Sequence, residues 1–355
     1  MILLTITHQT SMKLLPCLLV LFLFTMPKTA SAQNFKTAVD YLNFVSEEQE
    51  VISKNMWKYT KAIAHSKSDK NVTNKRKVLI KSIERAILKI ERAKGFDGDR
   101  YKNQVLDYLN FNRDLLNEDY AKILDMKAVA EQSYDAMEAY MLMRKLADEK
   151  MAESQANYEM NFHLFAAKNN IEIIKNESDL GKKMKLSNIV FEHYNELYLV
   201  FFKVYVNELY LWEAMERKDV SAIQQNTNAL NKAAIEGLKV LDTTNVYKND
   251  TSIVEATRTI FEYYIDESEN QIPELVDFYI LNESMTAITE TLEKTPERKR
   301  TKKQIDAYNK KVKEVNKAVK TYNSINDKLN VRRQKTLNGL NMANDTFLSK
   351  HIPKD

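Results

Sequence analysis

Residues 191–212 read FEHYNELYLVFFKVYVNELYLW, and this stretch decides the fold. Apolar side chains recur at three- to four-residue spacing on two sides of it. One side carries Phe191, Tyr194, Tyr198, Phe201, Tyr205, Leu209 and Trp212, and the other carries Leu199, Phe202 and Val206. A helix that is apolar over most of its circumference is normally surrounded by other helices. We therefore predict a central helix that begins just after Gly181 and ends at Arg217.

The apolar core of this stretch, Leu197 to Trp212, does not resemble a membrane span. Lys203, Asn207 and Glu208 interrupt it, whereas a span needs about 18 or more residues with almost no charge. No other apolar run after residue 32 is long enough either. We predict a buried helix here, and no transmembrane segment after signal cleavage.

The composition of the whole chain favours the same all-α fold. The 355 residues include only five glycines and five prolines, although glycine alone usually makes up about 7% of a protein. Sheets need many turns, and turns use these two residues. Their scarcity, together with abundant Lys, Glu, Ala and Leu, predicts a few long antiparallel helices.

The periodicity places further helices around the central one. We predict helices from Phe35 to His65, from Thr73 to the Gly95–Gly98 turn, and from Arg100 to Leu116, with Asp99 as the N-cap of the third. A long helix is expected from Glu118 to Lys168, and a polar hinge from Asn169 to Asp179. After the central helix, others follow Asp219 and Ser252, and Pro273 is expected to open one more.

An internal repeat relates the two halves. Asp69 precedes a helix that ends before Phe96-x-x-Asp99, and Asp219 precedes a helix that ends before Tyr247-x-x-Asp250. This pattern predicts two related helical-bundle units. Chance similarity between amphipathic helices is the alternative.

A long coiled-coil-like helix is predicted at the C-terminus, from Thr301 to about Ser349. Its apolar residues step by three and four, with Asn326 as a polar residue in the seam: Ile305, Tyr308, Val312, Val315, Val319, Tyr322, Asn326 and Leu329. We expect it to pack against the helix from Glu118 to Lys168. The basic cluster 298–303 at its start is either a solvated linker or a contact for an anionic envelope surface.

The first 32 residues have the order of a secretory signal peptide. Met12-Lys13 gives a basic start, Leu14 to Phe24 is apolar, and Ala30-Ser31-Ala32 is a cleavage signal before Gln33. We divide the chain into this signal peptide (1–32), a first helical unit (33–175), a second unit (176–295) and the long C-terminal helix that packs on the bundle (296–355).

Charge and cysteine content narrow the function. Removing Lys13 and Lys28 lowers the net charge from +4 to +2, so no nucleic-acid partner is expected. Cys17, the sole cysteine, lies in the signal peptide, and no Gly-x-Ser-x-Gly motif or phosphate-binding glycine loop is present. We predict no enzymatic activity, no catalytic residues and no cofactor.

Two carboxylate–histidine pairs are weak candidates for metal ligands. Glu159 and His163 are four residues apart, and His193 and Glu196 are three apart, so each pair lies on one helix face. The imelysins, an iron-regulated helical periplasmic family, use Gly-x-His-x-x-Glu, and this chain matches only the His-x-x-Glu part. Ordinary surface or capping histidines are the simpler interpretation, so we predict no metal site.

Several segments resemble a family of uncharacterised bacterial exported helical proteins labelled only "surface protein". The resemblance rests on residues 116–120, 130–140, 165–168, 180–184 and 201–203. It implies a helical envelope protein and supplies no catalytic residues. We expect a non-enzymatic structural or interaction protein, periplasmic or at the cell surface, monomeric, with an unknown envelope partner. The alternative is a periplasmic ligand- or metal-binding helical module similar to the imelysins.

Overall fold

The computed structural model describes residues 34–173 and 178–354, and in this part of the chain all regular structure is helical. The α-helices are α1 (Ala38–His65), α2 (Asp69–Arg92), α3 (Arg100–Asn117), α4 (Asp119–Ala130), α5 (Tyr134–Lys168), α6 (Asp179–Arg217), α7 (Val220–Thr243), α8 (Ser252–Asp266), α9 (Ile272–Lys294) and α10 (Lys302–His351). The described residues form no strand, which confirms the predicted all-α fold. The predicted signal peptide, residues 1–32, lies outside the described residues.

Polar side chains, rather than glycine or proline, start most of these helices. Each accepts a hydrogen bond from the backbone N–H three residues further on, and they are Thr37, Ser68, Ser133, Ser178, Asp219 and Thr301. Asp99 stands at the N-cap position of α3, as predicted, but its side chain makes no such hydrogen bond. Asp99 has φ −94° and ψ 5°, whereas a capping residue normally has an extended backbone that turns its side chain toward the free N–H groups.

A first core is formed by α1, α2, α3 and the second half of α5. Tyr41, Leu79, Ile83 and Leu116 are almost completely shielded from solvent in it. The rings of Tyr101 and Phe165 stack with their centroids 4.5 Å apart, which joins the end of α5 to the start of α3.

A second core is formed by α6 to α10. Leu197 and Leu211 of α6 meet Ile223 of α7, Phe261 of α8 and Leu275 of α9 there, all essentially unexposed. The last turns of α10 contribute to the same core with Leu340, Phe347 and Ile352.

The central position predicted for α6 is confirmed, since its sides are buried in different clusters. While Leu197 and Leu211 belong to the second core, Phe202 and Val206 pack against Ala130 and Met137 of the first half. No helix among the described residues is long and apolar enough to cross a bilayer.

The predicted partner of the terminal helix is wrong. The segment expected to be one helix from Glu118 to Lys168 is interrupted at residues 131–133, where Ser133 caps α5. Instead, α10 packs mainly on α8 and α9. The physical reason is connectivity, because a turn of seven residues joins α9 to α10 and places them side by side without a long loop.

Two turns at matching places in the two halves share positive φ angles at their middle residues. Residues 96–99 lie between α2 and α3, and residues 247–250 lie between α7 and α8. The middle residues of both turns have positive φ, at 54° and 92° in the first and 49° and 60° in the second. The aromatic residue that opens each turn packs on a phenylalanine near the end of a long helix, Phe165 of α5 or Phe347 of α10. Two related units would have this correspondence, and the duplication itself stays a prediction.

Candidate interaction arm and its buried anchor

The His193 pair lies at the edge of the second core. The His193 ring is 5.7 Å from the Phe347 ring and 6.3 Å from the Tyr247 ring, centroid to centroid. Burial lowers the pKa of His193, and Glu196 opposes that effect only in part. Glu196 itself is exposed, so the pair does not converge on a common space.

The Glu159 pair lies on the solvent-facing side of α5. Glu159 accepts a hydrogen bond of 3.0 Å from Gln155, and His163 lies beside the Phe162 ring. The structure does not bring this pair to the His193 pair. Within residues 34–173 and 178–354, no three His, Cys, Asp or Glu side chains are grouped in a way that could hold a metal ion.

The most unusual region is a long hairpin that leaves the second core. It consists of α9 from Ile280 onward, the turn 295–301 and α10 as far as Tyr322, and we call residues 280–322 the arm. No side chain from residue 280 to residue 328 is buried. The last buried residues are Tyr279 on α9 and Leu329 on α10, so the arm extends about 22 Å beyond Tyr279 at 1.5 Å per residue.

The arm is held together by a single apolar seam. The half-buried residues of this seam are Leu281, Met285, Ile288 and Leu292 on α9, and Tyr308, Val312, Val315 and Tyr322 on α10. The sequence predicted the α10 side of it, although Ile305 and Val319 remain 45% and 37% exposed. The seam therefore pairs two helices without enclosing a core.

The turn at the far end of the arm, the tip, is closed by an arginine. The Nε–H of Arg300 donates to the carbonyl oxygens of Leu292 and Thr295, at 3.1 and 3.0 Å. These carbonyls belong to the end of α9, where such groups lack a helical partner and favour a cation. Thr301 and Gln304 then form a capping box that starts α10.

Positive charge is concentrated on the arm. Residues 280–322 contain eleven Lys and Arg against six Asp and Glu, a net charge of +5, while the complete chain has a net charge of +4. The arm thus differs in sign from the remainder of the molecule, and it can attract anionic partners that the remainder does not.

The base of the arm is tied to the core by aromatic and polar contacts. The Tyr322 ring lies 4.4 Å from that of Phe278, and its hydroxyl is 3.0 Å from the hydroxyl of Tyr279. About three turns further along α10, the Arg332 guanidinium pairs with the carboxylate of Asp266. These contacts fix the direction in which the arm leaves the core.

Beside this base lies a buried ion pair between α6 and α10. Arg333 Nε is 2.7 Å from Glu208 Oε1, and the Tyr264 hydroxyl donates to Glu208 Oε2 at 2.8 Å. The guanidinium also lies 4.0 Å from the centre of the Trp212 ring, a cation–π contact. Burial raises the pKa of Glu208, while Arg333 and the hydrogen bonds act in the opposite direction.

A second carboxylate, Glu267, is buried next to this pair without a partner of its own. It is fully shielded from solvent, and within the described residues neither of its oxygens accepts a hydrogen bond of normal geometry, although the Tyr263 hydroxyl is near enough to act on its pKa. Burial, followed by the negative charge of Glu208, raises the pKa of Glu267 to about 8, since Arg333, Tyr263 and Arg332 compensate only in part. Glu267 is therefore mainly protonated at neutral pH.

The backbone around Glu267 is irregular as well. Residues Glu267–Gln271 form a π-helical segment that joins α8 directly to α9. The prediction that Pro273 opens a helix is confirmed, because Pro273 lies in the first turn of α9. Segments with π-helical geometry are often found at functional sites. Glu208, Glu267 and Arg333, which we call the anchor, lie where the π-helical segment meets the base of the arm.

The sequence interpretation missed the anchor. A weak signal existed for Glu208, which stands inside the apolar run 197–212 and must be paired if that helix is central. The sequence contained no such signal for Glu267, because residues 266–270 have the composition of an ordinary polar helix end.

A surface groove of about 450 Å³ lies between α1 and α2. Its apolar lining residues Val51, Val78 and Leu88 are about half exposed, and Lys81, Arg85 and Arg92 also line it. Glu48 lines the same groove and pairs with Lys89.

Comparison of the chain with models of protein families, with curated proteins and with solved structures found no match.

Proposed function

We propose that this chain is an exported, non-enzymatic interaction protein of the bacterial envelope, and that the arm is the element that contacts its partner. The observation that carries the proposal is the absence of buried side chains between residues 280 and 328. Ordering each residue costs about 1–2 kcal/mol of backbone entropy, and the arm regains little of this through burial. An extension of this kind contributes little to folding the core and is well placed for contact with another component.

The proposed location rests on the sequence. The order of basic, apolar and small residues from Met12 to Ala32 favours export and cleavage, and the family resemblance implies an envelope protein. Intact-mass analysis of protein from its host should show a chain that begins at Gln33. A chain that retains residues 14–24 would contradict export with cleavage.

A ligand-binding module is the second candidate, and the groove between α1 and α2 favours it. Its combination of Val51, Val78 and Leu88 with Lys81 and Arg85 fits an anionic amphiphile. The His193–Glu196 pair lends no support to an imelysin-like metal site, because Glu196 is exposed and, in the part of the chain that the structure describes, no three His, Cys, Asp or Glu side chains are grouped to hold a metal ion.

Site-specific cross-linking separates the two candidates. The mature chain has no cysteine, so Glu297→Cys at the tip and Glu149→Cys on the exposed side of α5 each introduce a single thiol for a photoreactive label. After irradiation in cells, the tip variant should form adducts with envelope components, and the α5 variant should not. Equal labelling from both positions, or none from the tip, would contradict an interaction role for the arm.

A further inference from the structure

One face of the arm carries a straight row of lysines. Lys303, Lys310, Lys313, Lys317 and Lys320 are spaced by seven, three, four and three residues along α10, and we call them the lysine stripe. All five side chains are exposed. With the seam at the a and d positions of the heptad, these lysines occupy the b and f positions, which lie on the opposite side of the helix.

Most charges of the stripe have no acidic partner among the residues that the structure describes. Among the described residues, Lys303, Lys313, Lys317 and Lys320 have no carboxylate within 4.0 Å. Lys310 is 4.0 Å from Glu314, whose nearer partner is Lys311 at 2.9 Å. Asp306 is the single acidic residue in the same row. Arg298, Lys299 and Lys302 continue the positive charge onto the tip.

We propose that the lysine stripe docks the arm on a bilayer surface of anionic phospholipids. The inference rests on the proposed function and names the partner of the same arm. The stripe runs about 26 Å along one side of α10, so a flat surface laid against that side can meet all five lysines. Each lysine close to an anionic bilayer strengthens attachment about fivefold, and five together give binding that none supplies alone.

The chemistry of the stripe favours lipid over nucleic acid. Phosphate and base recognition typically uses the planar arginine fork and stacked aromatic rings. The stripe itself contains neither, and the nearby Tyr308 belongs to the seam. Lysine is a point charge that tolerates the lateral movement of lipid headgroups.

The test measures binding of the complete chain to vesicles. We expect sedimentation with vesicles of phosphatidylcholine containing about one third phosphatidylglycerol, weak sedimentation with pure phosphatidylcholine, and release at high salt. Lys310→Gln, Lys313→Gln and Lys317→Gln together should weaken binding about a hundredfold. The control combines Lys70→Gln, Lys145→Gln and Lys239→Gln, which changes the net charge equally at exposed positions away from α10 and should have little effect.

Three results would overturn the proposal. In the first case, the wild-type chain does not bind anionic vesicles. In the second case, the two triple variants lose binding equally, which would indicate an effect of net charge alone. In the third case the chain binds long-chain polyphosphate in solution through the stripe but not vesicles, which would identify a soluble polyanion instead. If vesicle binding fails while tip cross-links to envelope proteins persist, only the lipid inference is lost and the interaction role remains.

Discussion

Replacing Glu267 with glutamine should stabilise the protein, and the gain should depend on pH. Glu267 is fully buried, accepts no hydrogen bond of normal geometry within the described residues and lies near the charge of Glu208. Glutamine has almost the shape of the protonated carboxyl but does not ionise. The substitution therefore removes a titration while it preserves packing.

The direction of the pH dependence follows from the pKa of Glu267 in the folded protein and in the unfolded chain. The folded protein holds the Glu267 proton up to a pH of about 8, while the unfolded chain releases it near 4.5. The stabilising contribution is thus fully present below pH 4.5 and is lost as the pH rises to about 8. One pKa unit corresponds to about 1.4 kcal/mol, so the complete loss is about 5 kcal/mol.

Urea unfolding, followed by circular dichroism from pH 5 to 8.5, measures this difference. At pH 5 the free energies of unfolding of Glu267→Gln and wild type should agree within about 1 kcal/mol. At pH 8 the variant should be more stable by about 3–5 kcal/mol. Glu208 keeps its own raised pKa in both proteins, so the variant becomes less sensitive to pH without losing the dependence entirely.

Glu269→Gln is the matched control, because Glu269 lies in the same π-helical segment but is exposed. Its stability should follow that of the wild type at every pH. Parallel curves for wild type and Glu267→Gln, or destabilisation of the variant at pH 8, would refute the assignment of a protonated, unpartnered carboxyl.

Three further predictions concern other parts of the protein. Arg333→Met should cost about 3–5 kcal/mol because it leaves Glu208 buried without its cation. Arg333→Met combined with Glu208→Gln should cost less than the sum of these two single changes; a double-mutant cycle in urea measures this coupling, and additive costs would argue against a coupled pair. Phe202→Ala should cost about 3–5 kcal/mol of stability, because Phe202 is buried against Met137. Asp135→Ala should cost under about 0.5 kcal/mol, because Asp135 is exposed. Equal effects would mean that the burial of α6 is misassigned. Asp250→Asn should reduce the loss of stability in acid. Burial raises the pKa of Asp250, but hydrogen bonds from Lys350, Ser252 and His351 outweigh this effect and hold the pKa well below its usual range. The wild type therefore loses their contribution as the pH falls below about 4, and an unchanged acid-unfolding profile of the variant would contradict that role.

The sequence by itself determined the class of fold and most helix boundaries. The apolar residues from 191 to 212 predicted the burial of α6, and Asp219 marked the start of α7, which the structure confirms. These features are local, because helix formation and capping depend on residues within about four positions of each other. The same local signals failed at residues 131–133, where α4 ends and α5 begins without a glycine or proline.

Only the tertiary structure decided which helices pair and which charges are buried. The heptad seam of α10 was visible in the sequence, but its partner, α9, was not, because a seam specifies an apolar stripe and not what covers it. The anchor joins Glu208 to Arg333 across 125 positions, and the unpartnered state of Glu267 depends on α6, α8 and α10 together. Burial and the pKa values that follow from it depend on neighbours packed together from distant parts of the chain, so local periodicity cannot predict them.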